Sequence, residues 1–229
     1  MMTHTGQETV VESHIRDGHS LPSAVGALIG GVVVILGAIS PPVDDAADRA
    51  FSAHMLQHVV FFDAGAPLLA IAWPLLLGRW RSSRVVAGLN ALARPAPALV
   101  LSTIALWFWH IPAIYDAALG HEATHVLEHV VFIATFVLFW RPLMNDTVTS
   151  ERLRTNESRV LYLTIGMFAN ALLAAYITFA DHLLYSHYAL LPPGGRSPLA
   201  DQHLGGGIMW LVGTIAVTVA ALLTMRDEP

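Results

Sequence analysis

The chain contains no cysteine, which excludes disulfides, thiolate metal sites and cysteine nucleophiles together. Lysine is missing too, so all 12 basic residues are arginine. Charge of either sign is scarce. Asp, Glu, Lys and Arg make up 13% of the 229 residues, against about 25% in an ordinary soluble domain. With 55% hydrophobic residues, too little polar surface remains to cover the protein in water. A net charge of −5 gives no sign of nucleic-acid binding. Composition therefore implies an integral membrane protein in a lipid bilayer, with no soluble domain and no internal repeat.

What is present in quantity is apolar sequence in stretches of about 20 residues, the length that spans a bilayer as a helix. Such stretches lie near 21–40, 54–78, 96–118, 122–143, 159–180 and 203–225. They predict an all-α integral membrane bundle of six transmembrane helices over 21–229, after a polar tail at 1–20. Pro67, Pro74 and Pro112 fall inside the stretches, where neighbouring helices can re-satisfy the backbone. Gly30–Gly31 and Gly205–Gly206–Gly207 mark expected close approaches.

Orientation follows from the arginines. Arg79, Arg81, Arg84 and Arg94 follow the second stretch, and Arg141, Arg152, Arg154 and Arg159 follow the fourth. Arg16 precedes the first and Arg226 follows the last, while only Arg49 and Arg196 fall on the other side. The positive-inside rule then puts both termini in the cytoplasm.

That frame sorts the histidines. Three of 12 lie in the tail (His4, His14, His19) and are given no role. The other nine all fall at the outer end: His54, His58, His110, His121, His125, His129, His182, His187 and His203. His54 and His58 stand one helical turn apart, as do His121, His125 and His129, with Glu128 on the same arc. Imidazoles at i and i+4 can chelate one metal ion, and ionisable groups within a bilayer normally face the bundle interior. The expected metal-binding residues are His54, His58, His110, His125, Glu128, His129 and His203, lining an outward-facing site walled by the second, third, fourth and sixth stretches. His121 and His187 read as interfacial, Asp181 and His182 as a polar exit, and Met55 and Met209 as packing. Asp63, on the far face from His54, is open to two readings, a pairing with a polar group such as Asn170 or another function.

Four segments in order, "FSAHMLQHVVFF", "WFWHIPAIYDAAL", "HVLEHVVFIATFVLFWRPL" and "PLADQHLGGGIMW", resemble the CtaG-type cytochrome c oxidase assembly factors. His54, Met55, Gln57 and His58 fit the first motif, and His110, Pro112, Tyr115 and Asp116 the second. His125, Glu128, His129, Trp140 and Pro142 fit the third; Asp201, Gln202, Met209 and Trp210 fit the last. His121 and His203 lie outside that pattern. Many relatives carry an additional N-terminal span, which would make seven. The resemblance implies a factor of the bacterial plasma membrane that helps a haem–copper oxidase mature, with oxidase subunits as partners and copper handled at the outer face. A homo-oligomer is compatible with it. Imidazole with nearby thioether suits copper, although the lack of thiolate shifts preference toward Cu(II) or zinc.

A second reading is an intramembrane zinc metallohydrolase. "HVLEH" has the spacing of an inverted zinc-protease motif, with His125 and His129 as ligands and Glu128 as the one candidate catalytic residue. On the assembly-factor reading no residue is catalytic.

Overall fold

A computed structural model describes residues 21–80, 82–144, 153–189 and 195–226. The tail with its three histidines, and Arg16, Arg81 and Arg152, lie outside these residues. Every regular element described is helical: Leu21–Ala38 (α1), Pro41–Arg49 (α2), Phe51–Val60 (α3), Ala66–Ile71 (α4), Trp73–Leu77 (α5), Arg84–Leu92 (α6), Pro95–Trp109 (α7), Pro112–Leu119 (α8), Glu122–Trp140 (α9), Asn156–Thr178 (α10) and Pro198–Arg226 (α11). Helices α3 and α4 are one rod, joined through a π-helical turn at Phe61–Gly65.

Among the described residues, five stretches are long and apolar enough to cross a membrane: 21–38, 51–71, 122–143, 156–178 and 198–226. The third expected span differs. Residues 96–118 do not form one rod, because α7 stops at Trp109 and His110 becomes its C-cap. Ile111 is extended, and Pro112, which cannot donate a backbone N–H, opens the separate helix α8. A sixth crossing exists only when α6 and α7 are taken together, with a bend of 76° between them. An amphipathic helix after the first span, α2, was not expected from the apolar pattern. Its Asp44, Asp45 and Asp48 follow a pair of prolines that set its first turn.

The remaining boundaries have local causes. Thr155 and Ser158 form a reciprocal capping box at the start of α10. Asp201 of α11 accepts from the Ser52 backbone N–H at 3.0 Å and from the Ser52 hydroxyl at 2.6 Å. That satisfies an otherwise orphaned donor in the first turn of α3.

Packing follows the glycines. α10 and α11 form the most extensive helix pair, and α11 also lies along α3. A Cβ on Gly206 would fall 2.4 Å from Thr178 Oγ1 and 2.8 Å from the Thr178 backbone nitrogen. On Gly205 it would meet the Phe51 ring at 2.4 Å. Gly31 seats α1 on Leu68 and Leu69, while Gly207 faces open space. The bundle turns Ile29, Val33, Phe168, Leu211 and Leu223 outward, as a lipid-facing surface requires.

The core has an upper and a lower part. The upper one gathers Phe51, Met55, Phe61, Tyr115, Phe132, Tyr185, Tyr188 and Met209. The lower one includes Val137, Phe139, Trp140, Tyr162 and Leu163. The π turn sits between them, and the Trp140 indole donates to the Phe62 carbonyl at 2.7 Å. A π turn disturbs the regular helical hydrogen-bond ladder, and this contact supplies the Phe62 carbonyl with a buried partner.

Candidate metal centre

Two helices supply the cluster. α3 contributes His54 and His58, which its 3.6-residue repeat stacks one turn apart, with ring centroids at 4.4 Å. α9 contributes His125 and His129, stacked in the same way at 4.3 Å. His54 lies 5.2 Å from His125, and His58 lies 5.4 Å from His129. Glu128 projects from α9 into the same space.

The potential ligand atoms of His54, His125 and His129 lie within 4.8 Å of one another, and so do those of His54, His58 and Glu128. His54 belongs to both groups. His54, His58 and Glu128 are buried, whereas His125 and His129 are half-buried.

The hydrogen bonds determine which nitrogens carry protons. Tyr188 donates its hydroxyl to the Ala47 carbonyl at 3.0 Å, so toward His54 Nδ1, at 2.9 Å, it presents a lone pair. His54 is therefore the Nδ1–H tautomer, and its Nε2 lone pair faces the cluster. His58 Nε2, 3.0 Å from that lone pair, must be the donor, which leaves His58 Nδ1 without a proton. Burial pushes the phenols of Tyr115, Tyr185 and Tyr188 up from their ordinary value, which keeps all three as O–H donors.

Several buried polar atoms here have no hydrogen-bond partner among the described residues: His58 Nδ1, His125 Nε2, His129 Nε2 and both oxygens of Glu128. Native interiors rarely leave such atoms unpaired, since each costs roughly 1–3 kcal/mol. All five belong to residues of the two ligand groups, which makes them donors suited to a cation.

A cover closes one side of the cluster. Phe51 and Tyr185 stack at 4.7 Å beneath Tyr115 and Tyr188. Tyr188 rides on a short 3-10 turn, Ser186–Ala189. Asp116 of α8 accepts from that turn three times: Ser186 N–H at 3.0 Å, Ser186 Oγ at 2.5 Å and His187 N–H at 3.2 Å. Gln202 of α11 holds the segment before it, accepting from Leu184 N–H at 2.7 Å and donating to the His182 carbonyl at 3.2 Å. Gln57 donates to the Ala38 carbonyl and to Asp44, tying α3 to the connection from α1.

Two expected ligands fall outside the cluster. His110 Nδ1 donates to the Leu106 carbonyl at 2.7 Å, as part of the helix end. Its ring centroid is 6.3 Å from His58, and it joins neither ligand group. His203 turns away and bonds the Ala180 carbonyl at 2.9 Å. The third and sixth spans thus give the site no member of either ligand group, contrary to the expected four-walled vestibule. Asp63 does not bond Asn170, whose Nδ2 donates to the Met209 carbonyl instead. His121, as expected, is exposed and contacts the neighbouring Gly120 carbonyl. His182 and Asp181 are exposed, 2.5 Å apart, and that hydrogen bond holds the Asp181 carboxyl below the usual carboxylate range.

Sequence reasoning missed Tyr188 and Tyr185 altogether. Their signal was present as two tyrosines flanking Ser186–His187 in the connection between the last two apolar stretches. The spacing to His54 in sequence, 134 residues, carries no periodicity that links them.

Fold and site define a class: a multi-pass helical membrane protein with a buried imidazole–carboxylate cluster at one end of the bundle. The chain belongs to the cytochrome c oxidase caa3 assembly factor (Caa3_CtaG) family, whose family model matches residues 10–227. Comparison with curated proteins and with solved structures returned no match. Membership makes a cytochrome c oxidase the partner this protein assembles.

Proposed function

We propose that the chain assists oxidase assembly by holding a copper ion at the His54–His58–His125–Glu128–His129 cluster and passing it on at the outer face of the plasma membrane. The observation that carries this is the convergence of unpartnered, buried lone-pair donors from α3 and α9. Copper is cargo here, not a resident cofactor, so a site with more donors than one coordination sphere needs is an advantage. The ion can exchange one histidine for another without becoming bare. Orientation rests on Arg84, Arg94, Arg141, Arg159 and Arg226, which sit at the helix ends opposite the cluster.

Capture has a definite proton requirement. His54 Nε2 already offers a lone pair. His58 must move its proton from Nε2 to Nδ1 before both can bind one ion. Two nitrogens about 2.05 Å from a tetrahedral ion stand about 3.3 Å apart, close to the 3.0 Å between these two. Tyr188 then matters as the group that fixes His54. A Tyr188→Phe variant should fold normally and bind copper about tenfold more weakly, as loss of an outer hydrogen bond to a ligand histidine commonly does. A competition titration against a chromogenic chelator measures it.

The deciding experiment is metal content of the detergent-purified protein by mass spectrometry after separate copper and zinc loading. His125→Ala/His129→Ala is run alongside. The proposal expects near-stoichiometric copper in the wild type and loss in the double variant. Retained zinc with no copper would return the metallohydrolase reading. No metal under either condition would overturn the ligand assignment.

A further inference from the structure

A second polar site lies deeper in the bundle. Asp63 sits in the π turn, five residues beyond His58 and about 7–8 Å further along the helix. It lines an internal cavity of about 50 Å³ together with Ser102, Thr103, Met167, Asn170 and Met209. By volume this holds a few water-sized groups or one ion with part of its shell. Phe62 and Phe132, with ring centroids at 5.0 Å, pack against His58 and separate the cavity from the cluster above.

The protons around this cavity are largely spoken for. Ser102 donates its hydroxyl to the Leu99 carbonyl at 3.1 Å. Asn170 turns its Nδ2 toward α11, where it donates to Met209 O at 3.1 Å and lies over Gly213. A Cβ at Gly213 would come within 2.8 Å of that nitrogen, so the glycine is what lets the amide take this pose. What remains in the lining is the Asp63 carboxyl, the Asn170 amide oxygen, the Ser102 oxygen and two methionines, Met167 and Met209. Thr103 adds a hydroxyl able to accept as well as donate. Asp63 has no ion-pair partner among the described residues. A carboxyl placed this far into a membrane protein by a π turn, without a cation beside it, marks a site for one.

We propose that the Asp63 cavity is a second cation site, and that its ligand is a soft monovalent metal ion, Cu(I). The charge and the donor set decide the class. One carboxylate neutralises one positive charge, which an apolar interior demands, and thioether sulfur selects Cu(I) over harder ions. Calcium or magnesium would require six or more oxygens, which the cavity does not provide. The inference does not depend on the outer cluster, since no residue is common to the two.

The test is a Cu(I) titration of the full-length protein in detergent under reducing conditions, read as equivalents bound, with Ag(I) as a redox-inert probe. Wild-type protein is expected to take up two equivalents. Asp63→Asn, nearly isosteric, should lose one, and His125→Ala/His129→Ala should lose the other while keeping the Asp63 equivalent. If Asp63→Asn does not purify as a folded species, Met167→Leu/Met209→Leu serves in its place and should weaken the inner equivalent at least tenfold. Uptake in Asp63→Asn and in the double-methionine variant equal to wild type would overturn the inner site. Loss of the outer equivalent alone would leave the inner site standing, so the two proposals fail separately.

Discussion

A His54→Ala variant is expected to lose copper binding more completely than any other single substitution in the outer cluster. His54 is the one residue common to both possible ligand triads. Its removal leaves neither triad intact, whereas removal of His58, Glu128, His125 or His129 spares one. The loss should exceed the roughly 10–100-fold that changes around a ligand produce. Truncation also leaves the buried His58 Nε2 without its partner, while the Tyr188 hydroxyl keeps its bond to the Ala47 carbonyl. His54→Gln, which keeps a polar group in the space, separates lost binding from lost folding. His110→Ala provides the contrast. His110 bonds a backbone carbonyl and stands outside both triads, so copper affinity should change little, although the end of α7 loses a cap. Equilibrium copper competition on the variants checks the ranking, and a His110 effect as large as that of His54 would sink it.

The largest expected effect on stability comes from one methyl group. At Gly206, a Cβ would meet the backbone nitrogen of Thr178 at 2.8 Å and the Ala174 carbonyl at 3.0 Å. Backbone cannot step aside as a side chain can, so Gly206→Ala must push α10 and α11 apart along their most extensive contact. Overpacking of this kind costs about 1–3 kcal/mol, and the upper part of that range is expected here. At Gly205 the obstacle is the Phe51 ring, which can rotate, but only by disturbing its stack on Tyr185. The cost there should be smaller and should be accompanied by weaker copper binding. Gly207→Ala meets nothing within 4 Å. It should be neutral or slightly stabilising, because alanine is the better helix former by about 0.5–1 kcal/mol. Thermal unfolding of the three variants in one detergent tests the order. Equal midpoints would show that these glycines do not set the helix spacing.

Much of this arrangement was legible in the sequence, for reasons that can be named. Helices bury what their period dictates, so the pairs His54/His58 and His125/His129 could be placed on common faces before any coordinates. Bilayer length identified the apolar stretches, and arginine distribution supplied a sidedness. What periodicity does not carry is the relation between elements. His110 and His203 sit at the same membrane level as the cluster and so looked like ligands, but level is not direction. A turn at Ile111–Pro112 and the pitch of α11 point them at carbonyls instead. Tyr188 reaches His54 from a loop fastened by Asp116 and Gln202 of two other helices and by its own bond to the Ala47 carbonyl. The π turn at Phe61–Gly65 was equally hidden. It has no compositional signature, yet it carries Asp63, which lines one cavity with Asn170.

The ligands of the outer cluster and the residues that cover it are carried on different parts of the chain. Every imidazole and carboxylate in the two triads stands on α3 or α9, while the cover consists of Tyr115 on α8 and Tyr185 and Tyr188 in the connection from α10 to α11. That connection is held down by side chains, chiefly Asp116 and Gln202, and not by a shared backbone ladder. Swinging it aside would uncover the histidines without unwinding a single membrane helix. Opening it would break the hydrogen bonds to Asp116 and Gln202 together with those from Tyr185 to the His110 carbonyl, Tyr188 to the Ala47 carbonyl and His187 to the Asp48 carbonyl, so contact at this one loop can govern access to the cluster while the two helices that carry its imidazoles keep their backbone.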